Sequence, residues 1–362
     1  MKLYWHIWGK RVLNRPEKMP AGMFDPILKA SIQKEVLKMV EIKHRTIETN
    51  GIQMHIAEAG EGPLVLMLHG FPELWYTWRH QLTALAEAGF HAVAPDQRGY
   101  GQTDRPPAVS DYNIFQLTGD IIGLVNALGE PRPFIIGHDW GSVVTQYCAV
   151  LRPDLFKAVV LLSVPYLMRV RGTTPPIQIM KKMYGEDIFY QVYFQEPGKA
   201  EADLETDARR SMGAMLYSNS GSPPPEKRWN FVYKKGETLL QNFAYPDRIP
   251  EWLTQSDIDY FGQEFARSGF RGGLNWYRNI DYNWRETPFL DGARILQPTL
   301  FVAGDADPVI RMYKKAVDTQ EKVIPNLKKK VILPGVGHWI NQERPEEVNQ
   351  LILEFLKNES AK

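Results

Sequence analysis

The spacing of hydrophobic and polar residues along the chain predicts strands that alternate with helices. Continuous apolar runs, typical of parallel strands buried on both faces, occupy residues 64–68, 91–95, 134–136, 158–162, 297–303 and 330–333. Apolar residues recur at helical spacing over residues 75–88, 115–128, 143–149 and from about 345 onwards. An alternating pattern on both sides of Asn50-Gly51 predicts a hairpin. This order predicts an α/β fold on a mostly parallel, doubly wound sheet.

The pattern changes after Pro165. The following segment, residues 166–285, is rich in aromatic side chains, contains no run typical of a buried strand, and is broken by Gly, Ser and Pro at residues 219–225. We interpret it as a mostly helical lid inserted into the sheet domain. The chain is thus predicted to consist of a basic helical extension, a first core part, the lid and a second core part, at residues 1–44, 45–165, 166–285 and 286–362.

Residues 1–44 differ in composition from the rest of the chain. They hold nine Lys or Arg against four Asp or Glu, and they begin with the large side chains Tyr4, Trp5, Ile7 and Trp8. Such a segment could lie on a membrane surface or act as an assembly arm. We favour a simpler interpretation, a helical appendage packed on the main domain.

Composition limits the classes of partner and compartment. A formal net charge of +1 gives no reason to expect nucleic acid as a partner, and 44% hydrophobic residues suffice for a large core. The single cysteine, Cys148, fits a reducing compartment. No apolar run reaches the length of a membrane span, and no secretory signal is evident, so we expect a cytoplasmic monomer or homodimer. No motif for a metal or an organic cofactor stands out, and neither is expected.

The strongest chemical signal is the stretch at residues 134–142. An apolar strand there runs into the pentad G-H-D-W-G, and a helical pattern follows. This is the strand–turn–helix context of a nucleophile elbow, with Asp139 where the more familiar form has serine. Gly137 and Gly141 flank it because the strained turn leaves no room for a Cβ.

An aspartate at an elbow predicts different chemistry from a serine. A serine that attacked saturated carbon would leave an ether, which water does not readily cleave. A carboxylate leaves an alkyl ester instead, which can be hydrolysed at its own carbonyl. Because an ionised carboxylate needs no base for its attack, a histidine base is free to activate water. Asp139 therefore predicts displacement at an sp3 carbon followed by ester hydrolysis.

A histidine and an acid follow Asp139 in the order that this type of site uses. His338 is the only histidine after Asp139, so it is the base if a triad exists. Asp305 and Asp307 both follow a predicted strand, at the end where open parallel sheets bind ligands. We prefer Asp307, further into the loop, as the acid that orients the histidine, with Asp305 as the alternative.

Two peptide N–H groups are candidates for an oxyanion hole. The sequence H-G-F-P at residues 69–72 follows a predicted central strand, and its glycine lets the backbone approach a ligand closely. The N–H of Phe71 could then point at a developing oxyanion. The second donor would be the N–H of Trp140, directly after the nucleophile.

These motifs resemble those of the α/β-hydrolase-fold epoxide hydrolases, in particular the hydrolase domain of the mammalian soluble enzyme and its plant and bacterial relatives. The resemblance covers roughly residues 45–357. It is most specific in the lid strings at residues 189–191, 193–198 and 269–279. It implies the α/β-hydrolase fold and an enzyme that converts a small apolar epoxide and water to a vicinal diol. It says nothing about residues 1–44.

The resemblance also implies that Tyr190 and Tyr277 are lid tyrosines that hydrogen-bond the epoxide oxygen. A phenol with a pKa near ~10 is protonated at neutral pH and can donate to that oxygen as the ring opens. The lid aromatics Trp276 and Phe261 suggest an apolar substrate pocket.

Three other functions compete with this one. A haloalkane dehalogenase shares the aspartate elbow but needs halide-binding donors, commonly a Trp and an Asn in place of Phe71, so Phe71 and the tyrosine pair argue against it. A fluoroacetate-type dehalogenase would be expected to carry Arg in place of Trp140. A non-catalytic small-molecule receptor on the same fold would not need a complete nucleophile, base and acid.

Overall fold

The computed structural model describes residues 40–167, 169 and 171–361. Its strands, in chain order, are β1 (Lys43–Thr49), β2 (Ile52–Ala59), β3 (Leu64–Leu68), β4 (His91–Pro95), β5 (Phe134–His138), β6 (Ala158–Leu162), β7 (Ile188–Phe189), β8 (Val232–Tyr233), β9 (Thr299–Gly304) and β10 (Leu327–Leu333). Eight of them form one sheet in the order β1-β2-β4-β3-β5-β6-β9-β10. The β1–β2 and β2–β4 pairs are antiparallel, and the other pairs of this sheet are parallel. The predicted mostly parallel sheet is confirmed.

The α-helices of the described ranges follow the strands as the periodicity predicts. They are α1 (Arg79–Glu87), α2 (Ile114–Leu128), α3 (Trp140–Leu151), α4 (Pro176–Tyr184), α5 (Tyr190–Tyr193), α6 (Lys199–Leu204), α7 (Ala208–Ser218), α8 (Gln255–Ser268), α9 (Arg271–Arg278), α10 (Ile280–Glu286), α11 (Pro308–Met312), α12 (Lys314–Asp318), α13 (Ile340–Glu343) and α14 (Pro345–Ser360).

The central strands are buried on both faces, which explains their continuous apolar sequences. Successive side chains of a strand point to opposite faces. Accordingly, Leu66 and Leu68 of β3 belong to an apolar cluster that includes residues of α2 and α3. Val65 and Met67 belong to a second cluster that includes residues of α1 and α14. Helices therefore cover both faces, as in a doubly wound sheet.

The predicted hairpin joins β1 to β2. Thr49 pairs with Ile52, and the two residues between them, Asn50 and Gly51, have φ values of 46° and 75°. Positive φ at both central positions is the geometry that Asn-Gly favours, and it matches the twist of the strands.

The lid lies in the chain between β6 and β9 and contains α4 to α10. It also contains a short antiparallel pair, β7 with β8, in which Ile188 pairs with Tyr233 and Phe189 with Val232. The sequence predicted a mostly helical lid and did not predict this pair, because strands of two residues are too short to produce a periodic pattern. The predicted lid limits at residues 166 and 285 remain predictions.

The predicted N-terminal extension lies outside the described residues over positions 1–39. Its last two positions, Lys43 and His44, form the start of β1. Within the described ranges, none of the helices combines the length and apolar character needed to cross a bilayer.

Helix α2 starts at a residue that links the core to the lid. The side chain of Asn113 accepts hydrogen bonds from the N–H groups of Phe115 and Gln116, at 3.0 and 3.1 Å, and caps the helix. The N–H of Ile114, the first residue of the helix, donates a hydrogen bond of 2.9 Å to Oδ1 of the lid residue Asn283. Capping therefore fixes the position of Ile114 relative to the lid.

We expect Asn113→Ala to lower the free energy of unfolding by about 1 kcal/mol, because two helix N–H groups lose their acceptor. Urea unfolding at pH 7 measures this change. Asn126→Ala is the matched control, because Asn126 is exposed within the same helix. Equal stability of the Asn113 variant and the wild-type protein would contradict the capping role.

Candidate active site

Asp139 occupies a sharp turn between β5 and α3. Its backbone has φ 51° and ψ −123°, a region that residues with a Cβ rarely adopt. Two flanking glycines make the turn possible. A Cβ on Gly137 would overlap the carbonyl of Gly141, and a Cβ on Gly141 would overlap the carbonyl of Leu68 on β3. The turn therefore has the geometry of the predicted nucleophile elbow.

The carboxylate of Asp139 points at the loop after β3. Its Oδ1 accepts a hydrogen bond of 2.8 Å from the N–H of Phe71. Gly70 permits this approach, because a Cβ there would overlap the Asp139 side chain and approach the N–H of Trp140. Of the two peptide groups predicted as oxyanion donors, that of Phe71 is thus hydrogen-bonded to this carboxylate, and that of Trp140 also faces Gly70.

His338 connects Asp139 to Asp307. Its Nε2 lies 3.3 Å from Oδ2 of Asp139, and its Nδ1 lies 3.0 Å from Oδ2 of Asp307. Asp307 is fully buried, and its Oδ1 also accepts from the N–H of Val309 at 2.8 Å, which fixes its orientation. Asp305 is exposed and accepts instead from the N–H of Gly335 at 2.7 Å. The geometry therefore favours Asp307 over Asp305 as the partner of the histidine.

The two carboxylates determine the charge of His338. Burial by itself would lower the pKa of this imidazole, because it disfavours the charged form. The charge of Asp307 and the hydrogen bond to Asp139 outweigh burial and raise the pKa of His338 well above its usual value. The two carboxylates therefore favour the protonated form of this imidazole.

A buried glutamate behind the site was not singled out from the sequence. Glu73 is fully buried. Its Oε2 lies 2.7 Å from the N–H of Gly70 and 2.7 Å from Nδ1 of His138. The other ring nitrogen of His138, Nε2, lies 2.7 Å from the carbonyl oxygen of His338. His138 thus connects the loop after β3 to the loop that carries His338. The sequence does offer one clue to Glu73. It directly follows H-G-F-P and stands three residues after Gly70, from whose N–H it accepts a hydrogen bond.

A cavity of about 720 Å³ opens beside Asp139, between the carboxyl edge of the sheet and the lid. Asp139 is the only acidic residue among the described residues that line it. Apolar side chains from several elements contribute to the walls, including Ile114, Val143, Ile280, Val309 and Met312. This lining suits an apolar ligand whose reactive carbon meets a single carboxylate.

Tyr190 and Tyr277 line this cavity together with Asp139. Their ring centroids are 5.8 Å apart, and the Tyr190 hydroxyl accepts a hydrogen bond of 2.8 Å from Nε2 of Gln191. Burial raises the pKa of both phenols well above the usual value, and nearby Asp139 adds to the effect. Both hydroxyls are therefore protonated at neutral pH and can donate. The sequence did not single out Tyr313, shortly after Asp307, which also lines the cavity.

The structure differs from the sequence prediction for Trp276 and Phe261. Neither is among the residues that line the cavity, and both are fully buried. The indole Nε1 of Trp276 donates to the carbonyl of Arg98 at 3.1 Å, and the ring of Phe261 packs edge-on against that of Tyr76. Aromatic composition indicates burial, but it does not indicate whether a ring faces the core or the cavity.

Across the described ranges, no cluster of His, Cys, Asp and Glu side chains has the arrangement needed to hold a metal ion. The site brings together a carboxylate, an imidazole held by a second carboxylate, two phenols and a peptide N–H group.

The fold and this site define a class of protein. Residues 63–345 match the family model described as the alpha/beta hydrolase fold. The sheet order, the elbow after β5 and the histidine after β10 agree with that class.

Individual relatives indicate which family within this class the chain belongs to. Epoxide hydrolase A of Mycobacterium tuberculosis is 44% identical, over 86% of this chain and 96% of that protein. Epoxide hydrolase 1 of Siraitia grosvenorii is 43% identical, over 88% of this chain and 99% of that protein. The solved structure of an epoxide hydrolase from an endophytic Streptomyces superposes with a TM-score of 0.84 at 43% identity, covering 87% of this chain and 95% of that one. The chain belongs to the epoxide hydrolase family of the α/β hydrolases.

The charge of Glu73 generates a prediction about stability. Burial by itself would raise the pKa of Glu73, but His138 and the hydrogen bonds from Thr77 and Gly70 outweigh it and lower the pKa to about 2. A carboxylate with a lowered native pKa stabilises the fold fully above its unfolded pKa, near ~4.3. This stabilisation is lost as the pH falls towards the native value, because the unfolded chain then binds the proton first.

Between pH 7 and pH 3 we therefore expect the wild-type protein to lose about 2 kcal/mol more unfolding free energy than Glu73→Gln. Guanidinium unfolding curves at both pH values measure the difference. Glu48→Gln, at an exposed position of β1, serves as the control and should follow the wild-type protein. Parallel pH dependence of wild-type protein and Glu73→Gln would show that Glu73 is not held ionised.

Proposed function

We propose that this protein hydrolyses a small apolar epoxide to a vicinal diol through an alkyl ester on Asp139. The observation that carries the proposal is that Asp139, Tyr190 and Tyr277 all line one apolar cavity. A carboxylate can attack a ring carbon there while protonated phenols hold the ring oxygen. The names of the relatives agree with this substrate class.

The first step is ring opening. Oδ1 of Asp139 is held by the N–H of Phe71, so Oδ2 is the oxygen that attacks a ring carbon. The new C–O bond forms as the bond between that carbon and the epoxide oxygen breaks. The oxygen receives a proton from Tyr190 or Tyr277, because an alkoxide is a poor leaving group unless a donor stabilises it in the transition state.

Ester formation then lowers the pKa of His338, so that it can act as a base. The charge on Asp139 helps to keep His338 protonated in the resting site. Esterification removes that charge, and the pKa of His338 falls while Asp307 continues to hold the ring. The proton that the imidazolium gives up returns through solvent to the tyrosinate left by ring opening, and the neutral imidazole can then take a proton from water.

The second step is hydrolysis of the ester. Water activated by Nε2 of His338 attacks the carboxyl carbon of Asp139. Negative charge develops on Oδ1, which already accepts from the N–H of Phe71, and the N–H of Trp140 is the second donor. Collapse of this intermediate breaks the ester C–O bond, and the leaving oxygen takes the proton of the new carboxyl group, so that the diol is released and the carboxylate is restored.

Replacing the base should trap the ester. We expect His338→Gln to gain the mass of the whole epoxide when it is mixed with an aryl epoxide, because ring opening continues while hydrolysis stalls. Intact mass spectrometry measures the adduct, and His338→Gln combined with Asp139→Ala should show none.

The same variant mixed with a 1-haloalkane separates the competing functions. A gain of the alkyl group without its halogen would instead indicate a dehalogenase. No adduct with either reagent would favour a non-catalytic receptor.

Removing both phenol hydroxyls should slow ring opening strongly. We expect Tyr190→Phe with Tyr277→Phe to form the ester more slowly by about 100-fold or more, since no acid then stabilises the leaving oxygen. Rapid-quench mass spectrometry in the His338→Gln background measures this rate. Tyr245→Phe, an exposed lid tyrosine, is the control. A double variant with unchanged ring opening would mean that other groups supply the proton.

A further inference from the structure

The loop that carries His338 is held through its backbone by three neighbours. The N–H of His338 donates to the carbonyl of the lid residue Asn219 at 2.8 Å. Its own carbonyl lies 2.7 Å from both the Ser163 hydroxyl and Nε2 of His138. These hydrogen bonds to the backbone of His338 hold the loop and thereby position the catalytic ring.

Glu343 holds the peptide groups on both sides of His338. Its carboxylate is buried at the end of α13. Oε2 accepts from the N–H of Gly337 at 3.0 Å, and Oε1 accepts from the N–H of Trp339 at 3.1 Å. One carboxylate thus bridges the residues before and after the base.

The same carboxylate also binds the lid. Oε2 of Glu343 accepts a third hydrogen bond, of 2.8 Å, from the N–H of Gly221 in the lid. The lid and the histidine loop are in direct contact there. A Cβ on Gly221 would overlap the carbonyl of Gly335, and a Cβ on Gly337 would overlap the backbone of Ser220. Only glycine fits at these two positions.

The charge of Glu343 is balanced by peptide dipoles. Among the described residues, no Lys, Arg or His forms an ion pair with it. Burial, and to a smaller extent the charge of nearby Asp307, raise the pKa of Glu343, and the three N–H donors lower it without cancelling the rise. Burying a carboxylate costs free energy unless hydrogen bonds replace its lost hydration. Each of the three bonds fixes backbone within or beside the histidine loop.

We propose that Glu343 is a positioning residue that joins the lid to the histidine loop and sets His338 for the hydrolytic step. This inference rests on the proposed two-step function. Ring opening uses Asp139 and the tyrosines and does not require His338 as a base. Loss of the Glu343 contacts should therefore slow ester hydrolysis and leave ester formation unchanged.

Glu343→Gln tests the proposal with almost no change in shape. The amide oxygen can replace only one carboxylate oxygen, so the NH2 group must face at least one peptide N–H, and a donor then meets a donor. We expect the ester to decay more slowly, on the order of tenfold to a hundredfold, because small misplacement of a base is costly. Rapid-quench intact mass with an aryl epoxide gives the rates of ester formation and decay separately.

A second readout separates positioning from stability. Asp307 raises the pKa of His338, so an imidazole that drifts from Asp307 should titrate lower. We expect the acid limb of ester decay to shift to lower pH in Glu343→Gln. A merely structural role would lower the amount of active enzyme and leave both the limb and the ratio of the two rates unchanged.

The controls keep the two proposals distinguishable. Glu347→Gln, at an exposed position of α14, should match the wild-type protein. If Glu343→Gln does not fold, Glu343→Asp should show a smaller slowing of the same step. Ester that accumulates in His338→Gln, but decays at the wild-type rate in the Glu343 variants, would overturn this inference alone. No ester in any variant would overturn the proposed function itself.

Discussion

The site depends on the strained backbone of Asp139 at the end of a buried parallel strand. A residue with φ 51° costs on the order of 1–3 kcal/mol, and it persists because the surrounding core fixes both sides of the turn. Gly137 and Gly141 let α3 pack tightly against β3 and β5. This turn places the carboxylate at the edge of the sheet, where it contacts the N–H of Phe71 and the ring of His338.

The charges around this turn are balanced locally, with each carboxylate held by peptide N–H groups or an imidazole. Glu73 binds the N–H of Gly70 and His138, Asp307 binds the N–H of Val309 and His338, and Glu343 binds three N–H groups. Such pairing offsets the cost of burying charge. It also makes the pKa of His338 responsive to the charge on Asp139.

The lid contributes more than a cover to this arrangement. It supplies Tyr190 and Tyr277 to the cavity, and it binds the core through backbone groups at Asn219 and Gly221. The core in turn binds the lid through the N–H of Ile114. Because the cavity and the Asn219 and Gly221 contacts lie beside Asp139 and His338, a displacement of the lid would disturb both tyrosines and the histidine loop.

The sequence by itself determined the sheet, the hairpin, the elbow at Asp139 and the order of acid and histidine, because each follows from local spacing or from position at a strand end. The lid tyrosines required resemblance to relatives, since nothing local separates Tyr190 from tyrosines that only pack. The sequence preferred Asp307 to Asp305 only by its place in the loop, and tertiary structure separated them by burial and contact. Tertiary structure also placed Trp276 and Phe261 in the core. It also revealed Glu73 and Glu343, whose roles depend on peptide groups brought close by folding, and a sequence does not display where its backbone N–H groups will point.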